Sequence, residues 1–82
     1  MLGTRPKTTL EAVERELVYA RARGRWVTSY EIQALVKENW SMLCSESAIT
    51  ARIRDLRKAR YGGHRIDCRR RSGSTSYEYR MG

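Results

Sequence analysis

The chain has few of the residues from which metal and catalytic sites are built. Two cysteines, Cys44 and Cys68, stand far apart, and with a single histidine, His64, they leave a zinc site short of its usual four ligands. No triad spacing, phosphate-binding loop, dinucleotide fingerprint or calcium loop is present. We therefore expect no enzyme and no metal or cofactor site, with both thiols reduced.

Long apolar runs are missing as well. No stretch approaches the roughly 18 residues that a membrane-spanning helix needs, and the N-terminus lacks the apolar segment of a signal peptide. A length of 82 residues leaves room for one small domain. These features predict a cytoplasmic protein with a flexible N-terminal arm at residues 1–7 and one domain at residues 8–82.

Acidic residues are in short supply relative to basic ones. The chain holds 17 Lys and Arg against 9 Asp and Glu, for a net charge of +8. Residues 1–45 contain 7 basic and 5 acidic residues, whereas residues 46–82 contain 10 basic and 4 acidic residues. The positive charge is therefore concentrated in the second half, which favours an anionic partner, most simply the phosphates of nucleic acid.

Helical spacing of apolar residues predicts three helices, at about residues 8–23, 28–38 and 45–60. The first two begin with the Thr-x-x-Glu pattern of a capping box, at Thr8 and at Thr28. A short strand is expected between them at residues 25–27. Trp40 and Leu43, in the turn before the third helix, are expected to fill the core.

Beyond Gly62 the apolar period changes from helical to alternating. Residues 65–71 and 76–81 read as two strands around a Ser-Gly-Ser-Thr turn, which predicts a C-terminal β-hairpin. Tyr77 and Tyr79 fall on its predicted core face. Three arginines, Arg69, Arg70 and Arg71, lie next to the tip of the hairpin. We expect this tip to be flexible, so that the three side chains are not held in fixed positions.

The third helix is predicted to have two different faces. Ile49, Ile53 and Leu56 fall in one narrow sector, which indicates a core-facing side. The opposite sector carries small side chains near the start of the helix and cationic side chains further on. It consists of Ser47, Ala51, Arg54 and Lys58. Such a face suits insertion into a DNA major groove. The alternative is an ordinary amphipathic surface helix with a solvated charged face.

Two segments carry a family resemblance: AITARIRDLRKARYGGHRI at residues 48–66 and RRRSGSTSYEYRM at residues 69–81. Together with the order of predicted elements, they resemble small bacterial and bacteriophage winged helix-turn-helix proteins. The resemblance implies an α+β fold with the third helix in the major groove and the hairpin, or wing, along the backbone or minor groove. The contacts it implies are Ser47, Thr50, Ala51, Arg54 and Lys58 on the helix and Arg69, Arg70, Arg71 and Ser74 on the wing.

The expected function is therefore sequence-specific binding of double-stranded DNA, by a bacterial or phage transcriptional regulator or a DNA-transaction accessory factor. The alternative is a protein-interaction winged helix whose basic hairpin docks on an acidic partner. Binding of single-stranded DNA or RNA ranks third. It would need aromatic side chains exposed between the basic ones, whereas the alternation of Tyr77 and Tyr79 places both on the core face of the hairpin. We expect a monomer, with any homodimer weak or DNA-dependent and formed through Ala12 and Tyr19 of the first helix.

Overall fold

The computed structural model describes residues 5–82. It contains the helices α1 (Thr9–Ala22), α2 (Ser29–Trp40) and α3 (Glu46–Leu56), the strands β1 (Val27–Thr28), β2 (Ile66–Arg70) and β3 (Tyr77–Met81), and a short 3₁₀ turn at Ala59–Tyr61. The predicted α+β class, with three helices, a short strand after the first and a C-terminal hairpin, is confirmed. Within residues 5–82, no helix is both long enough and apolar enough to cross a bilayer.

The predicted N-terminal arm is described only in part, since residues 1–4 lie outside the described residues. Arg5 donates a hydrogen bond to the carbonyl oxygen of Trp40. Pro6 is buried, and the backbone N–H of Lys7 donates to Glu11 Oε1 at 2.7 Å. Residues 5–7 therefore lie against the helices.

Side-chain caps fix where each helix begins. At α2 the capping box is complete: Thr28 Oγ1 accepts from the Glu31 N–H at 3.1 Å, and Glu31 Oε1 accepts from the Thr28 N–H at 2.8 Å. Ser45 caps α3 by accepting from the Ala48 N–H at 3.0 Å. At α1 the predicted box is incomplete, because Glu11 accepts from Lys7 instead of from the N-cap residue Thr8.

The sheet has the order β1-β3-β2 and is antiparallel throughout. Its inner face contributes Val27, Ile66 and Met81 to the core. The residues next to these in each strand point to the opposite face. There Glu78 of β3 lies between Thr28 of β1 and Arg69 of β2. This side of the sheet, with Thr28, Arg69 and Glu78, is the outer face.

The core lies between the three helices and the inner face of the sheet. The predicted core side of the third helix is confirmed, since Ile49, Ile53 and Leu56 are at most 1% exposed. The buried apolar residues are Ala12, Val13, Leu17, Ala20, Val27, Ile32, Val36, Ile49, Ile53, Leu56, Ile66 and Met81.

Two predicted core residues are exposed. Leu43 is 82% exposed, whereas Trp40 packs against the core. Side chains alternate along the segment after α2, so that Met42 and Cys44 point inward and Leu43 points outward. Tyr77 is 50% exposed, because it pairs with Arg70 at the far end of the hairpin, beyond the buried pair Ile66 and Met81.

The helix boundaries also differ from prediction. α2 continues to Trp40 instead of ending near Glu38, and α3 ends at Leu56, well before Arg60. After Leu56 the chain tightens: the Lys58 N–H donates to the Asp55 carbonyl at 2.9 Å, and the His64 N–H donates to the Leu56 carbonyl at 2.8 Å. Gly62 then takes a left-handed conformation, with φ of 108°.

Candidate nucleic-acid interface

The outer side of α3 carries short side chains and one long cation. Ser47 and Arg54 are exposed, and Thr50 and Ala51 are half-buried. The Thr50 hydroxyl donates to the Ser47 carbonyl at 3.0 Å, which keeps it close to the helix. Arg54 makes no side-chain hydrogen bond or ion pair with any described residue. We call Ser47, Thr50, Ala51 and Arg54 the α3 face.

Lys58 does not belong to this face, contrary to the helical prediction. It follows the end of α3 with an extended backbone (ψ 143°), and its Nζ lies 3.3 Å from Asp55 Oδ1. Arg52 binds the same carboxylate at 2.9 Å. Burial alone would raise the pKa of Asp55, but the hydrogen bonds from Lys58 and Arg52 bring it below its ordinary value.

The arginines of the hairpin are divided by the pleat of the sheet. Arg69 and Arg71 lie on the outer face and both bind Glu78, with Nε to carboxylate oxygen distances of 2.9 Å and 3.1 Å. The Glu78 side chain is only 8% exposed. Burial acts to raise the pKa of Glu78, but the two guanidinium hydrogen bonds lower it overall.

Arg71 is also bound to α2. Its Nη2 and Nη1 donate to Glu31 Oε1 and Oε2 at 2.9 Å and 3.3 Å, a bidentate pair. The hydrogen bond from Arg71 is the main reason that the pKa of Glu31 is lowered, and Glu31 in turn raises the pKa of Arg71. The expectation that the side chains of Arg69 and Arg71 are not held in fixed positions is therefore wrong.

Arg69 has a second partner in Trp26. Its guanidinium carbon lies 4.0 Å from the centroid of the Trp26 ring, and that of Arg80 lies 6.0 Å from it. Both distances are within the range of cation–π attraction. The basic residues of the outer face are thus largely engaged with groups of the protein itself.

Arg70 differs from its neighbours in sequence. It is exposed and lies on the opposite side of β2, and its guanidinium carbon is 5.7 Å from the centroid of the ring of its cross-strand partner Tyr77. No carboxylate among the described residues pairs with it. Ser74 closes the turn, because its Oγ accepts from the Ser76 N–H at 3.0 Å. Arg70 is therefore the predicted wing contact best placed to meet a ligand.

A groove of about 280 Å³ joins α3 to the hairpin. Ser29 and Tyr30 at the start of α2 line one part of it, and Ser29 Oγ donates to Glu46 Oε2 of α3 at 2.7 Å. The hairpin contributes residues 75–77 and Tyr79. The hairpin thus lies beside the start of α3.

The exposed aromatic rings Tyr30 and Tyr77 border this groove, and sequence reasoning did not single them out as site residues. The signal for Tyr30 was available: it precedes Ile32 by two positions, which places it off the apolar stripe of α2. No local signal identified Tyr77, since its alternation with Tyr79 predicts the core.

Helix α1 does not present the predicted self-association patch. Ala12 is fully buried and Tyr19 is half-buried, because α1 packs against both other helices and β3. Glu16 is buried too, and it accepts hydrogen bonds from Asn39 at 3.1 Å and from Trp40 Nε1 at 2.9 Å.

His64 and the cysteines lie outside the α3 face. His64 Nε2 is 2.7 Å from Glu14 Oε2, which ties the segment after α3 to α1. Cys44 and Cys68 are free thiols. In the part of the chain that the structure describes, no three His, Cys, Asp or Glu residues come together in a way that could hold a metal ion.

Comparison with known proteins yields no relative: neither a protein-family model, nor a curated protein, nor a solved structure matches the chain.

Proposed function

We propose that the chain is a winged helix-turn-helix domain that binds double-stranded DNA in a sequence-specific way. In this proposal α3 enters the major groove and the hairpin follows the backbone or minor groove. The role that fits is that of a bacterial or phage transcriptional regulator or DNA-transaction accessory factor. The observation that carries the proposal is the α3 face, where the Arg54 side chain has no hydrogen-bond or ion-pair partner among residues 5–82 and stands among short side chains.

The dimensions and chemistry of DNA favour this use of α3. The major groove of B-DNA accepts an α-helix, and short side chains such as Ser47 and Ala51 let the helix approach the base edges closely. An arginine can bind the O6 and N7 atoms of guanine in a bidentate pair. Arg54 has both the reach and the unoccupied donors for such a contact.

The position of the hairpin also supports the proposal. The groove between Glu46 of α3 and Tyr77 of β3 shows that the two elements are neighbours. With α3 in the major groove, Arg70 on the hairpin could reach a phosphate of the adjoining backbone. The net charge of +8 adds a long-range attraction to the same ligand.

Duplex binding at increasing salt tests the proposal. The logarithm of the binding constant should fall linearly with the logarithm of salt concentration, by about 0.9 for each phosphate contacted. A random-sequence duplex pool serves as the probe, and fluorescence anisotropy as the readout. If no duplex binds at about 50 mM salt, the proposal is wrong.

A second candidate function is docking on an acidic protein partner. Leu43 is 82% exposed and lines a groove of about 440 Å³ together with Tyr30 and Met42, and a contiguous apolar surface of this kind favours a protein ligand. Under the DNA proposal, Leu43→Ser should leave duplex binding unchanged. Absence of duplex binding together with binding to an acidic protein would favour this second function.

A further inference from the structure

We propose that Arg71 is a positioning residue that anchors the wing to the first turn of α2, and that it is not itself a DNA contact. This inference rests on the proposed DNA-binding function and deepens it. It assigns different roles to two adjacent arginines, Arg70 and Arg71, which the sequence alone made equivalent.

The contacts of Arg71 leave its guanidinium group poorly placed to bind a DNA phosphate. Three of its guanidinium nitrogens donate to carboxylate oxygens, with Nε to Glu78 at 3.1 Å and Nη2 and Nη1 to Glu31 at 2.9 Å and 3.3 Å. A DNA phosphate would have to replace two carboxylates that are already in place. The same contacts join β3, the end of β2 and α2 through one side chain.

The first turn of α2 is a firm point of attachment. The carboxylate of Glu31 is fixed by the Thr28 N–H at 2.8 Å as well as by Arg71. Two residues before it, Ser29 Oγ donates to Glu46 of α3 at 2.7 Å. One turn of helix therefore contacts both α3 and the wing, and so sets the distance between the two elements that would hold DNA.

Glu31→Gln separates positioning from direct contact. Glutamine keeps the size of the side chain and still serves a capping box, but it loses the charge-assisted pair with Arg71. If Arg71 contacted phosphate, removal of a competing negative charge would strengthen duplex binding. If Arg71 positions the wing, binding should weaken on the order of tenfold.

The matched control is Glu38→Gln, which removes one negative charge from the exposed side of the same helix. It should leave duplex binding equal to that of the wild type or slightly stronger. If Glu31→Gln also equals or exceeds the wild type, the positioning role is wrong. Thermal unfolding of both variants verifies that each is folded at the temperature of the assay.

Lysine substitutions give a second, independent comparison. Lysine preserves the charge of arginine but lacks its planar fork, so it can serve a phosphate but not hold a bidentate carboxylate pair in the same geometry. Arg71→Lys should weaken duplex binding on the order of tenfold, whereas Arg70→Lys should change it by less than about threefold. The reverse order would contradict the assignment.

A measurement without DNA distinguishes failure of the anchor from failure of the proposed function. Gly73, at the tip of the hairpin with φ of 74°, reports on wing order through ¹⁵N relaxation of its amide. Glu31→Gln should make this amide more mobile in the free protein, and Glu38→Gln should not. If Gly73 stays equally ordered in Glu31→Gln, the anchor is refuted. If the wild type binds no duplex, the DNA proposal fails, and the anchor is judged on Gly73 alone.

Discussion

The α3 face and the outer face of the hairpin both carry arginine, yet they use it in opposite ways. The Arg54 side chain on α3 makes no hydrogen bond or ion pair with any residue that the structure describes, whereas Arg69 and Arg71 on the hairpin share the buried carboxylate of Glu78. Arginine at a surface is therefore not by itself a sign of an available cation. What decides its use is whether the fold brings a carboxylate within hydrogen-bonding distance.

Local geometry explains the difference. On α3, Asp55 lies three residues from both Arg52 and Lys58 and pairs with both, while Arg54 projects to another side. On the sheet, Glu78 lies directly opposite Arg69 in the register, so pairing follows from strand alignment. Among the described residues, α3 thus leaves Arg54 without a carboxylate partner, whereas the sheet pairs both Arg69 and Arg71 with Glu78.

The largest effect on stability is expected from the inner side of α3. Ile53→Ala removes a side chain that is 1% exposed and should lower the free energy of unfolding by about 2–5 kcal/mol, because the cavity it leaves collapses only in part. Urea unfolding measures this change. A loss below about 1 kcal/mol would mean that α3 is held mainly by something other than its apolar side.

A smaller loss is expected at the start of α2, where the hairpin anchor begins. Thr28→Ala removes the cap of the Glu31 N–H and should cost about 1 kcal/mol. Thr8→Ala is the control, because Thr8 is exposed and its capping box is incomplete. An equal or greater loss of stability for Thr8→Ala would show that the capping box of α2, whose Glu31 also binds Arg71, stabilises the protein no more than the cap of α1 does.

Acidification should weaken the outer face of the hairpin. The pKa values of Glu31 and Glu78 are lowered in the folded protein from an ordinary value of 4.5. Their contribution to stability is therefore complete above about pH 4.5 and is lost as the pH falls through the lowered values. The wild type should lose stability on acidification.

The variant Arg71→Ala tests whether the loss of stability on acidification comes from the pair of Arg71 and Glu31. Without Arg71 the folded pKa of Glu31 lies nearer its ordinary value, so the stability of this variant should fall less steeply between pH 7 and about pH 3. Asp55 titrates alike in both proteins and does not affect the comparison. Parallel pH profiles from urea unfolding would show that the pair contributes nothing to folding.

The smallest effect on stability is expected on the α3 face itself. Arg54→Ala should change the free energy of unfolding by no more than about 0.5 kcal/mol, because Arg54 is exposed and its side chain makes no hydrogen bond or ion pair with the described residues. Thermal or urea unfolding tests this. A clear loss would show that Arg54 serves the fold and would remove the contrast with the hairpin.

Much of the fold could be predicted because its signals are local. Thr28 and Ser45 cap their helices through neighbouring N–H groups, and the spacing of Ile49, Ile53 and Leu56 predicted the core side of α3. The end of α3 was missed, because the turn after Leu56 depends on a hydrogen bond from His64.

The site was less predictable, because the roles of its side chains depend on contacts between distant segments. Arg71 meets Glu31 across 40 positions of the chain, and no periodicity reveals such a pair. Tyr77 has the alternation of a core residue, yet it is 50% exposed and borders the groove beside Tyr30. Arg54 was accessible to prediction because its face is defined within one helix.

Selection of bound duplexes from a random pool tests the central claim, that α3 reads the major groove, most directly. The wild type should enrich one sequence pattern, and Arg54→Ala should lose preference at one position by about 1–3 kcal/mol of discrimination. Arg70→Ala is the control and should weaken all sequences alike. If the Arg54→Ala protein selects the same pattern as the wild type with equal preference, the assignment of α3 to the groove is contradicted.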